Sequence, residues 1–165
     1  WTIAKFLLSH ERSGGFSALV KQMLNDIKYL ASQERGDDGL ALNQDASFRA
    51  TLAQLEIETM SAEVTERRII SEFSQGADPG AKTSILKALG SELMQRVTCF
   101  NMEALAYYAQ PNQYHARQAG SNTQVIGPDY AVAATAAYLN DRASTIYAGT
   151  NEVQRNIVAT QVLGI

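Results

Sequence analysis

The fold is decided by a stretch that reads Phe16-Ser-Ala-Leu-Val-Lys-Gln-Met-Leu-Asn-Asp-Ile-Lys-Tyr-Leu30. Its apolar residues recur at intervals of three and four, which places them on one side of an α-helix. We therefore predict a long first helix from about Gly14 to about Glu34. A loop should follow at Gly36-Asp-Asp-Gly39, because glycine and aspartate favour turns. The predicted buried stripe of this helix comprises Phe16, Leu19, Met23, Ile27 and Leu30.

The same spacing recurs twice more along the chain. The second stripe predicts a long helix that ends at Gly76-Ala-Asp-Pro-Gly80, where proline prevents continuation. The third predicts a helix that stops near Pro111. The second stripe comprises Phe48, Leu52, Leu55, Met60, Val64, Ile69 and Phe73, and the third comprises Ile85, Leu86, Leu89, Leu93, Val97, Phe100 and Leu105.

The last third of the chain begins with an irregular, polar stretch up to Pro128. Asp129 is the expected N-cap of a short, Ala-rich fourth helix that ends near Asn140, and Thr150 or Asn151 is expected to cap a fifth helix that runs to Leu163. No stretch shows the period-two alternation of a strand. The sequence therefore predicts an all-α fold, an antiparallel up-and-down four-helix bundle with a short C-terminal helix, in one domain over residues 1–165.

Composition narrows the functional classes. The 165 residues carry a formal net charge of -3, so no basic face is expected for nucleic acid. The apolar opening from Trp1 to Leu8 is too short to span a membrane and lacks the features of a signal peptide. Cys99 is the only cysteine, which excludes an internal disulfide and favours a cytoplasmic location. Because the chain starts at Trp1 inside an apolar run, we expect it to be a piece of a longer protein.

Several kinds of site are not supported by the residues present. A di-metal carboxylate centre in a bundle needs Glu-x-x-His pairs, and neither His10 nor His115 lies three residues after a glutamate. Cys99 lies beside Phe100 in an apolar stripe, which favours a structural thiol over a nucleophile. No glycine-rich phosphate loop occurs.

One C-terminal segment carries a recognisable motif, which reads Ile146-Tyr-Ala-Gly-Thr-Asn-Glu-Val-Gln-Arg155. Gly149 permits close backbone approach, and Thr150 and Asn151 open a helix whose free N–H groups favour an anionic or polar ligand. An ordinary helix cap explains the same residues. The segment, continued to Leu163-Gly164, closely resembles the Tyr-x-Gly-Thr turn and following helix of the acyl-CoA dehydrogenase family.

Two further stretches extend the resemblance over nearly the whole chain. Trp1–Gly14 is similar to the entry into the family's C-terminal helical domain, and Ser84–Glu92 is similar to the third helix of its bacterial members. The resemblance implies a FAD-dependent oxidoreductase of fatty acid metabolism, an acyl-CoA substrate and an electron-transfer flavoprotein as acceptor. It also implies a homo- or hetero-tetramer through the helical domain. The family's N-terminal helical and middle β domains have no counterpart in this sequence.

The position of the catalytic base departs from most of the family. A glutamate usually follows the tyrosine of the turn and abstracts the acyl α-proton, while the β-hydrogen leaves as hydride to flavin. Here that position is Ala148. The isovaleryl-CoA and long-chain members take the base from an earlier helix, at the position that matches Glu11. The resemblance therefore implies Glu11 as base, although a Glu11–Arg12 pair is also an ordinary solvated pair.

The resemblance also implies how substrate and cofactor are held. Arg12, Tyr147, Ala148 and Gly149 would contact the substrate, with the backbone N–H of Ala148 polarising the thioester carbonyl. The residues implied for FAD are Thr150, Glu152 and Arg35.

Two flavin motifs of the family are altered. Arg-x-x-Phe-Gly is replaced by Gln33–Gly39, and Gln-x-x-Gly-Gly is replaced by Ala109–Gln113. One explanation is a hetero-oligomer in which unlike subunits share flavin sites. An active subunit that uses Glu11 and a non-catalytic helical subunit therefore both stay open.

Overall fold

The structure, a computed structural model, describes residues 3, 7, 15–77 and 80–165, and the regular elements in this part of the chain are all helical. Short 3-10 turns lie between some of the helices, and a π-helical turn, Ala159–Leu163, follows the last one. The predicted all-α fold is confirmed. The α-helices are α1 (Phe16–Gln33), α2 (Ala46–Ser74), α3 (Lys82–Leu105), α4 (Ala134–Asp141) and α5 (Asn151–Val158).

The third helix is the centre of the bundle. The long helices α1, α2 and α3 pack against one another, and α3 also packs against α4 and α5. A second, smaller cluster joins the ends of α1 and α3 to α4, through residues such as Leu30, Leu105 and Ala134. The main core comprises Val20, Leu24, Ile27, Leu55, Ala62, Leu93, Val97 and Phe100.

The buried stripe of α1 is displaced by one residue from the predicted one in the first half of the helix, whereas Ile27 and Leu30 are buried as predicted. Leu19 is 51% exposed, whereas Val20 and Leu24 are buried. Since α1 packs against both α2 and α3, it buries the adjacent apolar positions that face between these two neighbours. The helix also begins at Phe16, after Gly15 in a left-handed conformation.

The predicted stripe of α2 is wrong at three positions. Met60 and Val64 are exposed, because they lie on the opposite side of the helix from the residues that face α1 and α3. Phe73 is half exposed in the last turn of the helix. The buried residues of α2 are Leu55, Thr59, Ala62, Glu66 and Ile69.

Glu66 is a buried carboxylate that belongs to α2 but caps α1. It accepts hydrogen bonds from the backbone N–H groups of Gly15 and Ser17, the latter at 3.4 Å. The N-cap residue of α1 is a glycine and supplies no side-chain cap of its own. Glu66 therefore stabilises the start of α1 from the neighbouring helix.

Asp129 is not the N-cap of the fourth helix, so this prediction is wrong. It lies in a 3-10 turn, Asp129–Ala131, that follows Pro128. The α-helix starts later, at Ala134, and the Thr135 hydroxyl donates a hydrogen bond of 2.6 Å to the carbonyl oxygen of Ala109, which ties α4 to the end of α3. Within the described residues, no helix combines the length and apolarity that crossing a membrane requires.

Candidate functional site

The segment between α4 and α5 contains a sharp turn at two left-handed residues. Ala148 has φ 55° and Gly149 has φ 92°. A left-handed conformation costs a non-glycine residue about 1–2 kcal/mol, so the surrounding structure must hold Ala148 in place. The glycine requirement inferred for position 149 agrees with its backbone conformation.

Thr150 is the residue that caps α5. Its hydroxyl oxygen accepts a hydrogen bond of 3.3 Å from the backbone N–H of Val153. Glu152 follows in the first helical turn, exposed to solvent. Its own backbone N–H, and then the Thr150 hydroxyl, hold the pKa of the Glu152 carboxyl below its usual range. The start of α5 therefore presents an ionised carboxylate beside the turn.

Asn151 fastens the start of α5 to α3. Its side chain is almost fully buried, and its Oδ1 accepts hydrogen bonds from Lys87 Nζ at 2.7 Å and from Ser91 Oγ at 3.1 Å. Its Nδ2 donates to Glu92 Oε1 at 3.1 Å. Its backbone N–H donates to the carbonyl oxygen of Thr145 at 3.0 Å, which closes the turn.

A second set of hydrogen bonds holds the segment that leads into the turn. Gln95 Nε2 donates to the carbonyl oxygens of Asp141 at 2.9 Å and of Arg142 at 3.3 Å. Arg142 Nη2 donates back to the carbonyl oxygen of Gln95 at 3.0 Å and to Thr98 Oγ1 at 3.2 Å. Both ends of the turn are therefore tied to the same face of α3.

The structure brings most of the candidate residues to one place. Tyr147, which is 55% exposed, Ala148 and Gly149 form the turn, and Thr150 and Glu152 open the helix directly after it. These backbone and side-chain groups can position a polar ligand. The side chain of Ala148, however, cannot accept a proton. Glu11 and Arg12 lie outside the described residues.

Arg35 lies elsewhere in the bundle. It is exposed in the loop after α1, where it forms an isolated β-bridge with Ala41. The end of α1 packs beside Leu105, whereas the turn packs on Ser91, which is fourteen residues earlier in α3. At 1.5 Å of rise per residue, this is about 21 Å along the helix. The structure therefore separates Arg35 from the turn.

The polar face of α3 was missed by the sequence reasoning. Lys87, Ser91, Gln95 and Thr98 follow one another at intervals of four, four and three, so they line one side of the helix. This spacing is the signal that could have found them. Their partners, however, lie more than forty residues away, and spacing within one helix does not name a distant partner.

Comparison of the sequence with models of known protein families identifies its family. The sequence model described as "Acyl-CoA dehydrogenase, C-terminal domain" matches residues 1–163, and the chain therefore belongs to this family. No curated protein matches the sequence at a significant level.

Solved structures share the fold. One is the ChsE4–ChsE5 complex from Mycobacterium tuberculosis, with a TM-score of 0.76, 24% identity, and coverage of 100% of this chain and 40% of that chain. A second is acyl-CoA dehydrogenase from Geobacillus kaustophilus, with a TM-score of 0.74, 22% identity, and coverage of 94% of this chain and 37% of that chain. A third is butyryl-CoA dehydrogenase from Megasphaera elsdenii, with a TM-score of 0.74, 20% identity, and coverage of 98% of this chain and 38% of that chain. The chain thus spans about two fifths of the length of these structures.

Proposed function

We propose that residues 1–165 form the C-terminal domain of a flavin-dependent acyl-CoA dehydrogenase. The whole protein would oxidise an acyl-CoA thioester to the trans-2-enoyl-CoA: the α-proton passes to a base and the β-hydrogen leaves as hydride. The single observation that carries this proposal is the left-handed turn at Ala148 and Gly149, tied at both ends to α3 in a member of this family. A rigid backbone turn of this kind suits the binding of a thioester carbonyl.

We assign the proton abstraction to Glu11. Alanine at position 148 cannot accept a proton, so the base must come from another position, and the family resemblance points to Glu11. A carboxylate in a dry pocket is basic enough for an α-proton that hydrogen bonds to the thioester carbonyl have acidified. Arg12 lies next to it in sequence and would contact the substrate. The N–H of Ala148 would donate to the thioester oxygen, with Tyr147 and Gly149 beside it.

The residues present fit FAD as cofactor. Arg35 exposes a guanidinium that makes no ion pair with any described residue, which suits a pyrophosphate. The Glu152 carboxylate suits hydroxyl or amino donors of the nucleotide, and Thr150 holds its orientation. When bound, FAD supplies the acceptor for the hydride. Because Arg35 and the turn lie about 21 Å apart along α3, we assign them to different flavins in a homo- or hetero-tetramer.

A second function is a non-catalytic helical subunit that supports the flavin site or the assembly of a hetero-oligomeric dehydrogenase. Ala148 in the turn and the altered motif at Gln33–Gly39 favour it. The ChsE4–ChsE5 structure is a complex of two named chains, and this chain resembles it in fold.

The test uses the full-length protein, purified alone. Addition of an acyl-CoA without oxygen should bleach the flavin absorbance and yield the trans-2-enoyl thioester. Added electron-transfer flavoprotein, the proposed acceptor, should reoxidise the flavin. A protein that binds flavin only together with an unlike subunit, and reduces none by itself, would support the second function instead.

A further inference from the structure

The start of α1 is held by two other helices. Glu66 of α2 accepts hydrogen bonds from the backbone N–H groups of Gly15 and Ser17. In addition, the phenyl ring of Phe16 lies directly against α3 at Gly90. Ser17 and Gly90 are buried, and Phe16 is half-buried against the main core. The position of the first turn of α1 is therefore set by α2 and α3 together.

Gly90 leaves free the space that the Phe16 ring occupies. A Cβ atom at position 90 would lie 2.8 Å from both Cγ and Cδ1 of Phe16. Carbon atoms pack at about 3.5–4.0 Å, so the ring and an alanine at this position exclude each other. A flip of the ring about its own axis leaves Cγ in place. Since glycine inside a helix is less stable than alanine, Gly90 serves the close approach of Phe16 and not the stability of α3.

The residue after Gly90 holds the turn. Ser91 Oγ donates a hydrogen bond of 3.1 Å to Asn151 Oδ1, directly after the turn. The carbonyl oxygen of Ser91 accepts one of 3.3 Å from Ser144 Oγ, before the turn. Consecutive residues of an α-helix are only about 1.5 Å apart along its axis. Phe16 and the turn therefore contact α3 at the same height.

Glu11, the proposed base, precedes Gly15 by four residues in the sequence. Four residues span at most about 14 Å, so the position of Gly15 limits where the base can be. We propose that Gly90 is a positioning residue for Glu11. By admitting Phe16, it fixes the start of α1 at the height of the turn, and with it the reach of the base to the thioester. This inference rests on the proposed function.

The rate of flavin reduction tests this role in the full-length protein with flavin bound. Gly90→Ala should lower the rate constant at saturating acyl-CoA at least about tenfold, because a small displacement of a reacting group is costly. The dissociation constant of the acyl-CoA should stay the same, since the turn keeps its hydrogen bonds to α3. The isotope effect of α-deuterated acyl-CoA should be undiminished. An unchanged rate constant, a loss confined to substrate affinity, or a smaller isotope effect would overturn the proposal.

Ile27→Val is the matched control for a disturbed core. Ile27 is 1% exposed in the same helix, eleven residues after Phe16, which is about 17 Å along the axis. The control should lower the midpoint of thermal unfolding and leave the rate constant of flavin reduction unchanged. Equal slowing by Ile27→Val and Gly90→Ala would assign the effect to a loosened bundle and refute the positioning role.

Hydrogen exchange tests the contact without substrate. Residues 15–20 should exchange faster in Gly90→Ala, because a displaced Phe16 draws Gly15 and Ser17 away from Glu66. Unchanged exchange would overturn the proposal, whatever the rate of reduction.

The Glu11→Gln variant separates this inference from the proposed function. If Glu11→Gln abolishes flavin reduction and Gly90→Ala does not slow it, the inference about Gly90 alone is wrong. If reduction persists in Glu11→Gln, the proposed base is wrong, and the inference fails with it.

Discussion

Asn151 joins the turn to α3 through a buried side chain. Its side chain makes three hydrogen bonds to α3, to Lys87, Ser91 and Glu92, while only 2% of the residue is exposed. Buried polar groups of this kind stabilise one conformation when all are paired, and they destabilise it when one partner is removed. The left-handed Ala148 lies three residues before it.

We predict that Asn151→Ala lowers the free energy of unfolding by about 1–3 kcal/mol, because Ser91 and Lys87 lose a buried acceptor. Chemical unfolding of the full-length protein measures this. Asn156→Ala is the control: Asn156 is exposed on the same helix, and its replacement should change the free energy by less than about 0.5 kcal/mol. Equal effects at both positions would contradict the role of the bridge.

For single residues, the sequence predicts those features of the site that depend on neighbours in the chain. Gly149 and Thr150 were identified because turn geometry and capping depend on residues next to one another. The partners of Asn151 were not, because Lys87 and Ser91 are about sixty residues away and meet it only through the packing of α3 on α5.

The first helix depends on a residue of the second one. Glu66 caps α1, and leaving a buried hydrogen-bonding group without its partner costs about 1–3 kcal/mol. We expect Glu66→Ala to lower the free energy of unfolding by about 2 kcal/mol, and Glu66→Gln to lower it by less, because one acceptor oxygen remains. Unfolding by denaturant measures both. Glu72→Gln removes an exposed ion pair with Lys82 and should cost at most about 1 kcal/mol. A larger loss at Glu72 than at Glu66 would argue against the cap.

We expect the stability of the folded protein to depend on pH through Asp141, the last residue of α4. Burial raises the pKa of the Asp141 carboxyl above its ordinary value of 3.8, although Arg142 partly offsets this. Ionisation of Asp141 therefore costs stability in the folded state. We expect Asp141→Asn to be more stable than the natural protein at pH 7, and the difference to vanish as the pH falls below 3.8. Unfolding curves of both proteins across this range measure it, and a constant difference would be contrary evidence.

The elements themselves follow from the sequence more closely than their orientation does. Apolar spacing predicted the three long helices because a helix buries one side, and this side repeats every three or four residues. It did not predict that Leu19, Met60 and Val64 lie outside the core. Both α1 and α2 carry more apolar residues than one side of a helix can hold. Which of these residues are buried depends on where the neighbouring helices pack.

The whole molecule uses α3 as its scaffold and leaves two parts of its surface exposed. One is the turn with the start of α5, and the other is the outer face of α2, where Ile57, Met60 and Val64 are exposed. The sequence predicted the all-α bundle and the family, because both depend on patterns within the chain. It did not predict that Met60 and Val64 are exposed on the outer face of α2, because the apolar spacing had assigned both to the core.

We propose that the proton chemistry has moved from the turn to Glu11. In the full-length protein with flavin bound, Glu11→Gln should abolish the reduction of flavin by acyl-CoA, with flavin content unchanged. Ala148→Glu added to this variant should restore part of the rate, since the turn already holds position 148 beside the proposed thioester site, in a backbone conformation strained for alanine and glutamate alike. Flavin reduction that persists at the natural rate in Glu11→Gln would contradict the account.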